Sequence, residues 1–498
     1  MSAAKSRVHV PAIRAKFDAA STTEESLRHW RGADNLSADA ELLPGIRRTV
    51  VSRSRFEVAN NGFLGGILQT LADDTVGTGP RLQLYFDDPA YDIDRDDEKE
   101  RAKLQRREIR FRKYSRQIKL AAKLRLARLA KARDGEVFFQ KVVNPKISGV
   151  NKIDLVLYET EQVGSNTLKD VEDYWKTGVP KEVDGILFDR NGNPTQYRFW
   201  RIHPGAINGI GSLTDFYLVP ADAVIHYANF TRPGQHRGFP EIAGGLTVFN
   251  DLRRYANAVV SAAETAAVIS LILETDTIPD AEDYDLSDEI NDEGKRVRQI
   301  QFTDVVPIAK NAGVALAEGW KAHQLKAEQP TSTYTAFVDA KLNEAARALS
   351  MPFNVAKGNS SGYNYASGRL DHQVYHRKII IERREIEETI LDNLFESWEE
   401  IDRMCFPEDY DFEFSIDHTW MWDGFQHVDP AKEASAQASR LASGTSTLQE
   451  ECAASGKDYE VVLRQLGHEE KLKKRYGLSA AAPAPGAGAT PGGIDDEE

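Results

Sequence analysis

Two histidines, His372 and His376, stand four residues apart inside a run of helical period, which puts both imidazoles on one helix face. That is the spacing of a zinc pair, the start of a metal-dependent hydrolase site. The residue after the first histidine is Gln373, where a metalloprotease needs a glutamate as general base. Two histidines on a packed helix also serve structurally, and both readings stand at this point. No GxSxG nucleophile turn occurs, and no GxxxxGK[ST] phosphate loop. The glycines of Gly77-Thr78-Gly79-Pro80 fit a helix stop better than a phosphate cradle, because no third glycine follows and Pro80 would spoil a helix start facing an anion.

Just before the histidine pair runs a polar stretch, residues 351–365, from Met351-Pro352 to Asn364-Tyr365. It offers amides and hydroxyls from Asn354, Asn359, Ser360, Ser361 and Asn364 and the single cation Lys357. Such groups can meet a phosphate backbone, or they can simply tolerate turn geometry. A second concentration of cations lies between Glu98 and Arg133, including Arg106, Arg107, Arg110, Arg112, Lys113, Arg116, Arg128 and Lys131. Apolar residues thread that stretch at Leu104, Ile109, Phe111, Ile118, Leu124 and Leu129, so one face is buried. Its charges either pair with acidic neighbours or contact nucleic acid or an acidic partner, with the first reading favoured because the chain carries an acidic excess.

The elements that position these groups follow from periodicity. Tyr334, Phe337, Val338, Leu342, Ala345, Ala346 and Leu349 recur at helical spacing, and Pro352 ends the pattern. After the polar loop, Leu370, Val374, Ile381, Ile386, Ile390, Leu394, Trp398 and Ile401 predict one helix on the order of 50 Å long. A third long helix is expected from Glu241 to about Ala267, with Pro240 at its start and alanines dense enough for close packing against copies of itself. Strand composition marks 136–143, 152–158, 185–189, 196–202 and 219–227, with a tight turn from Asp189 to Asn193 around Asn191-Gly192. Further strands are expected at 268–273, near 297–302 and at 314–316, around an acidic segment from Asp276 to Asp292. Residues 1 to about 48 read as an extended arm, and Leu64, Ile67, Leu68 and Leu71 as a helix closing at Gly77.

With 498 residues, 41% hydrophobic and 28% charged, the chain reads as a globular protein of several domains. Its net charge of -14 argues against a surface that grips nucleic acid throughout, since that grip comes from cations neutralising phosphates. Cys405 and Cys452 have no metal spacing and imply no disulfide framework. No signal-peptide core and no run of 18 apolar residues occurs, so neither export nor a membrane span is expected.

The order of motifs adds to this. Arg55 through Asn60-Asn61 to Val76-Gly77-Thr78-Gly79, then Gly135-Glu136, Gly185-Ile186, Pro220-Ala221-Asp222, Arg232-Pro233-Gly234-Gln235-His236-Arg237-Gly238, and Met351-Pro352 to Asn364-Tyr365-Ala366-Ser367-Gly368-Arg369 resemble the lambda-like phage portal protein family over about residues 50–425. The basic stretch before Gly135 departs from that pattern. The resemblance implies an α+β portal fold: N-terminal arm 1–49, β-rich wing 50–239, stem helices 240–267 and 332–350, and a small α/β clip 268–331. It further implies a tunnel loop 351–365, a long wing and core helix 366–401, a wing end and helical crown 402–479, and a disordered tail 480–498.

In function it implies a homo-oligomeric ring, usually of twelve subunits, at one capsid vertex in the virion, assembled in the host cytoplasm. Double-stranded DNA would pass through it in packaging and ejection. The terminase large subunit, the major capsid protein and neck or adaptor proteins would be its partners, with no cofactor, metal, catalytic residue or membrane. The DNA-facing residues would be Asn354, Lys357, Asn359, Ser360, Ser361 and Asn364, with Arg253 and Arg254 as stem candidates for the channel wall. A capsid-associated adaptor and a metal-dependent hydrolase remain the alternatives. The acidic balance suits such a channel, because a ring in which a duplex slides must avoid many fixed cations.

Overall fold

The computed structural model describes residues 17–21, 23–87, 98–165, 182–207, 215–268, 272–275, 289–290, 296–297, 320–323, 333–362, 365–425 and 430–478. The chain divides into two compact units, one made of residues 1–244 and 348–498, the other of Gly245–Arg347.

Within the first unit, part of the expected extended arm is helical: Glu24–His29 (α1) and Ala38–Glu41 (α2) precede Pro44–Asn60 (α3). Thr23 and Ser37 explain the difference, since their side chains accept from Ser26 N and Ala40 N and cap helices too short to show an apolar period. Asn61 caps Gly62–Val76 (α4), whose Leu64, Ile67, Leu68 and Leu71 are buried and which stops at Gly77 as the sequence predicts. A strand, Arg81–Phe86 (β1), follows.

The basic stretch forms two helices, Glu98–Gln117 (α5) and Leu120–Asp134 (α6), broken where Lys119 takes a left-handed conformation (φ 54°). Most of its cations pair with acids, as the favoured reading held. Arg106 and Arg110 bind Asp409, Arg110 also binds Asp402, Arg107 binds Glu399, and Lys131 binds Glu382 (2.8 Å) and Glu385 (2.7 Å). Its apolar stripe enters the main core, where Phe111 meets Phe395 and Trp398 edge-on at 5.6 and 5.1 Å.

Two antiparallel sheets lie beside these helices. Glu136–Val143 (β2) is flanked by Ile153–Tyr158 (β3) and, after four shorter strands, by Val224–Ala228 (β8). Between them Glu182–Val183 (β4), Ile186–Phe188 (β5), Pro194–Trp200 (β6) and Phe216–Pro220 (β7) make a four-stranded meander. The turn at Asn191-Gly192 is as expected: the Asp189 carboxylate accepts from Asn191 N and Asn193 N, both at 2.8 Å, and Gly192 has φ 84°. The expected strand 219–227 is instead two, β7 and β8, separated by a 3-10 turn at Ala221–Ala223.

The second unit contains Leu246–Val268 (α7), then Ile272–Thr275 (β9), Glu289–Ile290 (β10), Arg296–Val297 (β11), Trp320–His323 (β12) and Tyr334–Arg347 (α8). Tyr255 stacks on Tyr334 at 5.6 Å and touches Phe337 at 4.7 Å, holding α7 to α8. Strand β9 pairs antiparallel with β12, which the sequence reading did not foresee, and β10 with β11. The strand expected at 314–316 lies outside the described residues.

Back in the first unit, a short helix, Phe353–Lys357 (α9), sits inside the polar stretch. Helix Tyr365–Ile386 (α10) continues through a π turn, Glu387–Leu391, into Asp392–Cys405 (α11). The whole rod spans about 60 Å at 1.5 Å per residue, longer than the sequence suggested. The π turn carries Ile390 and Leu391 into the core, while Trp422 Nε1 donates to Glu387 at 2.5 Å. Ile416–Met421 (β13) then pairs antiparallel with β1, from Phe86 opposite Ile416 to Arg81 opposite Met421. Helices Pro430–Ser443 (α12), Leu448–Ala454 (α13) and Tyr459–Arg475 (α14) follow. No helix among the described residues is long and apolar enough to cross a membrane.

Candidate functional site

The polar stretch is more built than a plain loop. Asn354 is buried (3% exposed): its side-chain oxygen accepts from Val355 N at 3.0 Å, and its amide nitrogen lies 3.4 Å from His372 Nε2. The structure thus removes Asn354 from the side chains open to a passing ligand, because its amide is used to fasten α9 to α10. Lys357 is half-buried with its ammonium 5.4 Å from the Phe353 ring centre. Asn359, Ser360 and Ser361 are exposed, and Asn359 Oδ1 accepts from Ser361 N at 2.9 Å in a local turn. Asn364 lies outside the described residues. The single-cation character of the stretch stands, with its exposed polar groups gathered at 359–361.

A second set of contacts anchors this stretch through α10. Arg383, buried in mid-rod, donates to Thr75 O (2.8 Å), Asp74 O (3.0 Å) and Asp423 O (2.9 Å). Two of these are last-turn carbonyls of α4, which the helix itself leaves without donors and whose partial negative charge a cation complements. Tyr375 donates to Asp74 at 3.0 Å. Burial raises both the Asp74 carboxyl and the Tyr375 hydroxyl above their ordinary values. In the histidine pair the ring centres are 5.8 Å apart at 51°, His372 faces Asn354, and His376 stacks on Phe425 at 3.8 Å. Each ring thus has a neighbour of its own, Asn354 for His372 and Phe425 for His376.

The motif from Arg232 to Gly238 closes a buried ion network between the two sheets. Arg237 donates from Nη2 to Glu136 (2.6 Å) and Thr160 O (2.9 Å), and from Nη1 to Val163 O (3.1 Å) and Asp184 O. Arg47, from α3, reaches Glu136 (3.1 Å), Thr160 and Asp184. Two guanidiniums and two carboxylates therefore balance, and His226 Nε2 lies 2.9 Å from Glu136. Burial opposes ionisation of Glu136, but Arg237, His226 and Arg47 outweigh it and hold the carboxyl well below its usual range. Burial in turn lowers the His226 imidazole below its ordinary value, against the pull of Glu136. Gly238 is required by the same packing: its N–H donates to Glu136 at 2.7 Å, and a Cβ there would overlap the Gly135 carbonyl. Arg232 and His236 hold the N-terminal helices instead, through Glu41 and Asp39.

Among the described residues one further group, Glu159, Glu161 and His203, has the reach of a metal site. Gly205 N–H donates to His203 Nδ1 at 3.0 Å, which leaves the ring proton on Nε2, the nitrogen 3.1 Å from Glu159. Arg55 already supplies the positive charge, 3.0 Å from Glu161 and 3.5 Å from Glu159. The donor set therefore fits an ion-pair cluster rather than a metal. The phosphate reading of Gly77-Thr78-Gly79 fails for a similar reason, since Thr78 N donates to the Asp423 carboxylate at 2.6 Å and an anion already occupies the turn.

Of the two stem candidates on α7, Arg254 is exposed and Arg253 half-buried. Sequence reasoning singled out Gly135-Glu136 and Arg237 only as motif letters and missed Arg47 and Arg383. The motif itself was the signal for the first pair, whereas nothing in the sequence marks Arg383, a cation in an ordinary helical period.

The chain belongs to the lambda family of phage portal proteins, whose sequence profile matches residues 23–383. It is similar to the probable portal protein of Halomonas phage phiHAP-1, 24% identical over 362 residues that make up 70% of this chain and 65% of the relative. It also resembles a chain in the virion of a native gene transfer agent particle, at 14% identity and a TM-score of 0.44, over 82% of this chain and 93% of that one. A chain in the neck of the empty particle, computed with C6 symmetry, gives 14% and 0.46 over the same shares.

Proposed function

We propose that the protein is the subunit of a portal ring at one capsid vertex of a virion, assembled in the host cytoplasm, that conducts double-stranded DNA during packaging and ejection. The observation that carries this beyond family membership is an apolar stripe left open on α10. Leu370, Val374 and Ile381 are 64%, 59% and 61% exposed, at spacings of four and seven residues that align them on one face of the rod. A lone subunit gains nothing from exposing that face, whereas a ring of identical subunits buries it once per neighbour. In this reading Lys357, Asn359, Ser360, Ser361 and Asn364 meet the passing duplex, Arg253 and Arg254 contribute to the channel wall, and residues 268–331 dock the terminase large subunit and later the neck proteins. The acidic chain, -14 overall, keeps the duplex from being held fast. The capsid partner is the major capsid protein around the vertex. Negative-stain images and native mass spectrometry of the purified protein test the proposal. Closed rings with a central hole are expected, and a monomer at every concentration would refute it.

A further inference from the structure

A groove of about 450 Å³ runs between β1, α5 and the beginning of α14. Its walls combine the apolar Ile109, Val461 and Leu466 with the cations Arg81, Arg112 and Lys457. Ile109, Val461 and Leu466 are all exposed. The groove also holds two acids, Glu108, which accepts from Leu84 N (2.8 Å), and Asp458, which accepts from Val461 N (3.3 Å), while Arg81 donates to Gly456 O. Arg112 and Lys457 have no ion-pair partner among the described residues, unlike Arg106, Arg107 and Arg110 on the same helix as Arg112. The groove thus asks for an occupant with an apolar group followed by negative charge.

This chain supplies one. After Leu478, where the described part of the C-terminal region stops, come residues rich in Ala, Pro and Gly and then Ile494-Asp495-Asp496-Glu497-Glu498. From Leu478 back to Val461 is about 25 Å along a helix at 1.5 Å per residue. The fifteen residues 479–493 can span up to about 50 Å when extended, so the acidic segment reaches the groove with slack. We propose that Ile494–Glu498 docks in this groove, with Ile494 against Ile109, Val461 and Leu466 and the acids against Arg112, Lys457 and Arg81.

Hydrogen exchange of the full chain against a chain ending at Ser479 tests the assignment, read over residues 105–116 and 457–467. The truncated chain is expected to exchange faster in both segments, and a synthetic peptide of residues 489–498 added to it to restore the slow rate. An Arg112→Glu substitution in the truncated protein should weaken that peptide about 3- to 10-fold, and an Ile494→Asp peptide at least as much. Equal exchange in the two chains would overturn the proposal. So would a peptide that fails to protect at millimolar concentration, or protection in the full chain that survives Ile494→Asp together with neutralisation of the four acids.

Discussion

Replacing Arg237 with alanine removes the guanidinium that joins the two sheets and leaves Glu136, whose side chain has no solvent exposure, with Arg47 as its remaining close cation. Arg237 donates to two carboxylate oxygens and to the carbonyls of Thr160, Val163 and Asp184, which all lose that donor in the variant. Breaking such a pair from one side costs about 3–5 kcal/mol, because the surviving charge stays buried. With an unfolding entropy of about 2.1 cal/mol/K per residue, a unit of several hundred residues loses only about 1.5 °C per kcal/mol, so Tm should fall by roughly 4–8 °C. Urea unfolding followed by tryptophan fluorescence gives the free energy directly, at unchanged slope. The double variant Glu136→Gln with Arg237→Met should be less unstable than the sum of its parts, since neither partner is then left charged and alone. If Arg237→Ala shifts stability by less than about 1 kcal/mol, the network is not what joins the sheets.

The other predictions concern acid stability, assembly and DNA. Glu382 is 4% exposed, and although burial opposes its ionisation, Arg128 and Lys131 bring its pKa down to about 2. The stability it contributes is therefore complete above the unfolded value near 4.5 and lost as pH falls toward 2, so the gap in urea midpoint between wild type and Glu382→Gln should shrink over that window. A constant gap would contradict it. Leu370→Asp with Val374→Asp should leave the melting curve within about 0.5 kcal/mol, the usual limit for exposed sites, yet abolish rings in native mass spectrometry. Rings that persist would move the subunit contact to another face. Lys357→Ala should assemble normally but alter DNA packaging or retention, with a smaller dependence on salt because a phosphate contact is lost from each subunit. Packaging and retention identical to wild type would assign residues 351–365 to geometry alone.

The elements were legible where local rules decide them. The rod shows an apolar period for some thirty residues, and the hairpin at Asp189–Asn193 has an aspartate that accepts from its own turn and a glycine at the positive-φ position. Pairing between β1 and β13 was not legible, because their partners lie more than 300 residues apart and neither strand alternates strongly. The break at Lys119 escaped as well, since no glycine or proline marks it, and it lies between two buried residues, Ile118 and Leu120.

The polar residues divide along a different line. Charged side chains are expected outside, so the sequence offered no way to see that Glu136, Arg237, Arg47 and Arg383 are buried, the first three paired with one another and with Asp184, and Arg383 held by backbone carbonyls that include the end of α4. Asn354 shows the same process at the scale of one residue: it stands in a run of similar amides, yet burial commits it to Val355 and His372 while Asn359 stays exposed. A polar residue becomes available for a ligand only after the fold has satisfied its own buried groups. In residues 351–362 the exposed polar groups are those of the 359–361 turn, with Lys357 half-buried next to them in sequence, and the Lys357→Ala test is aimed at that segment as the proposed DNA contact.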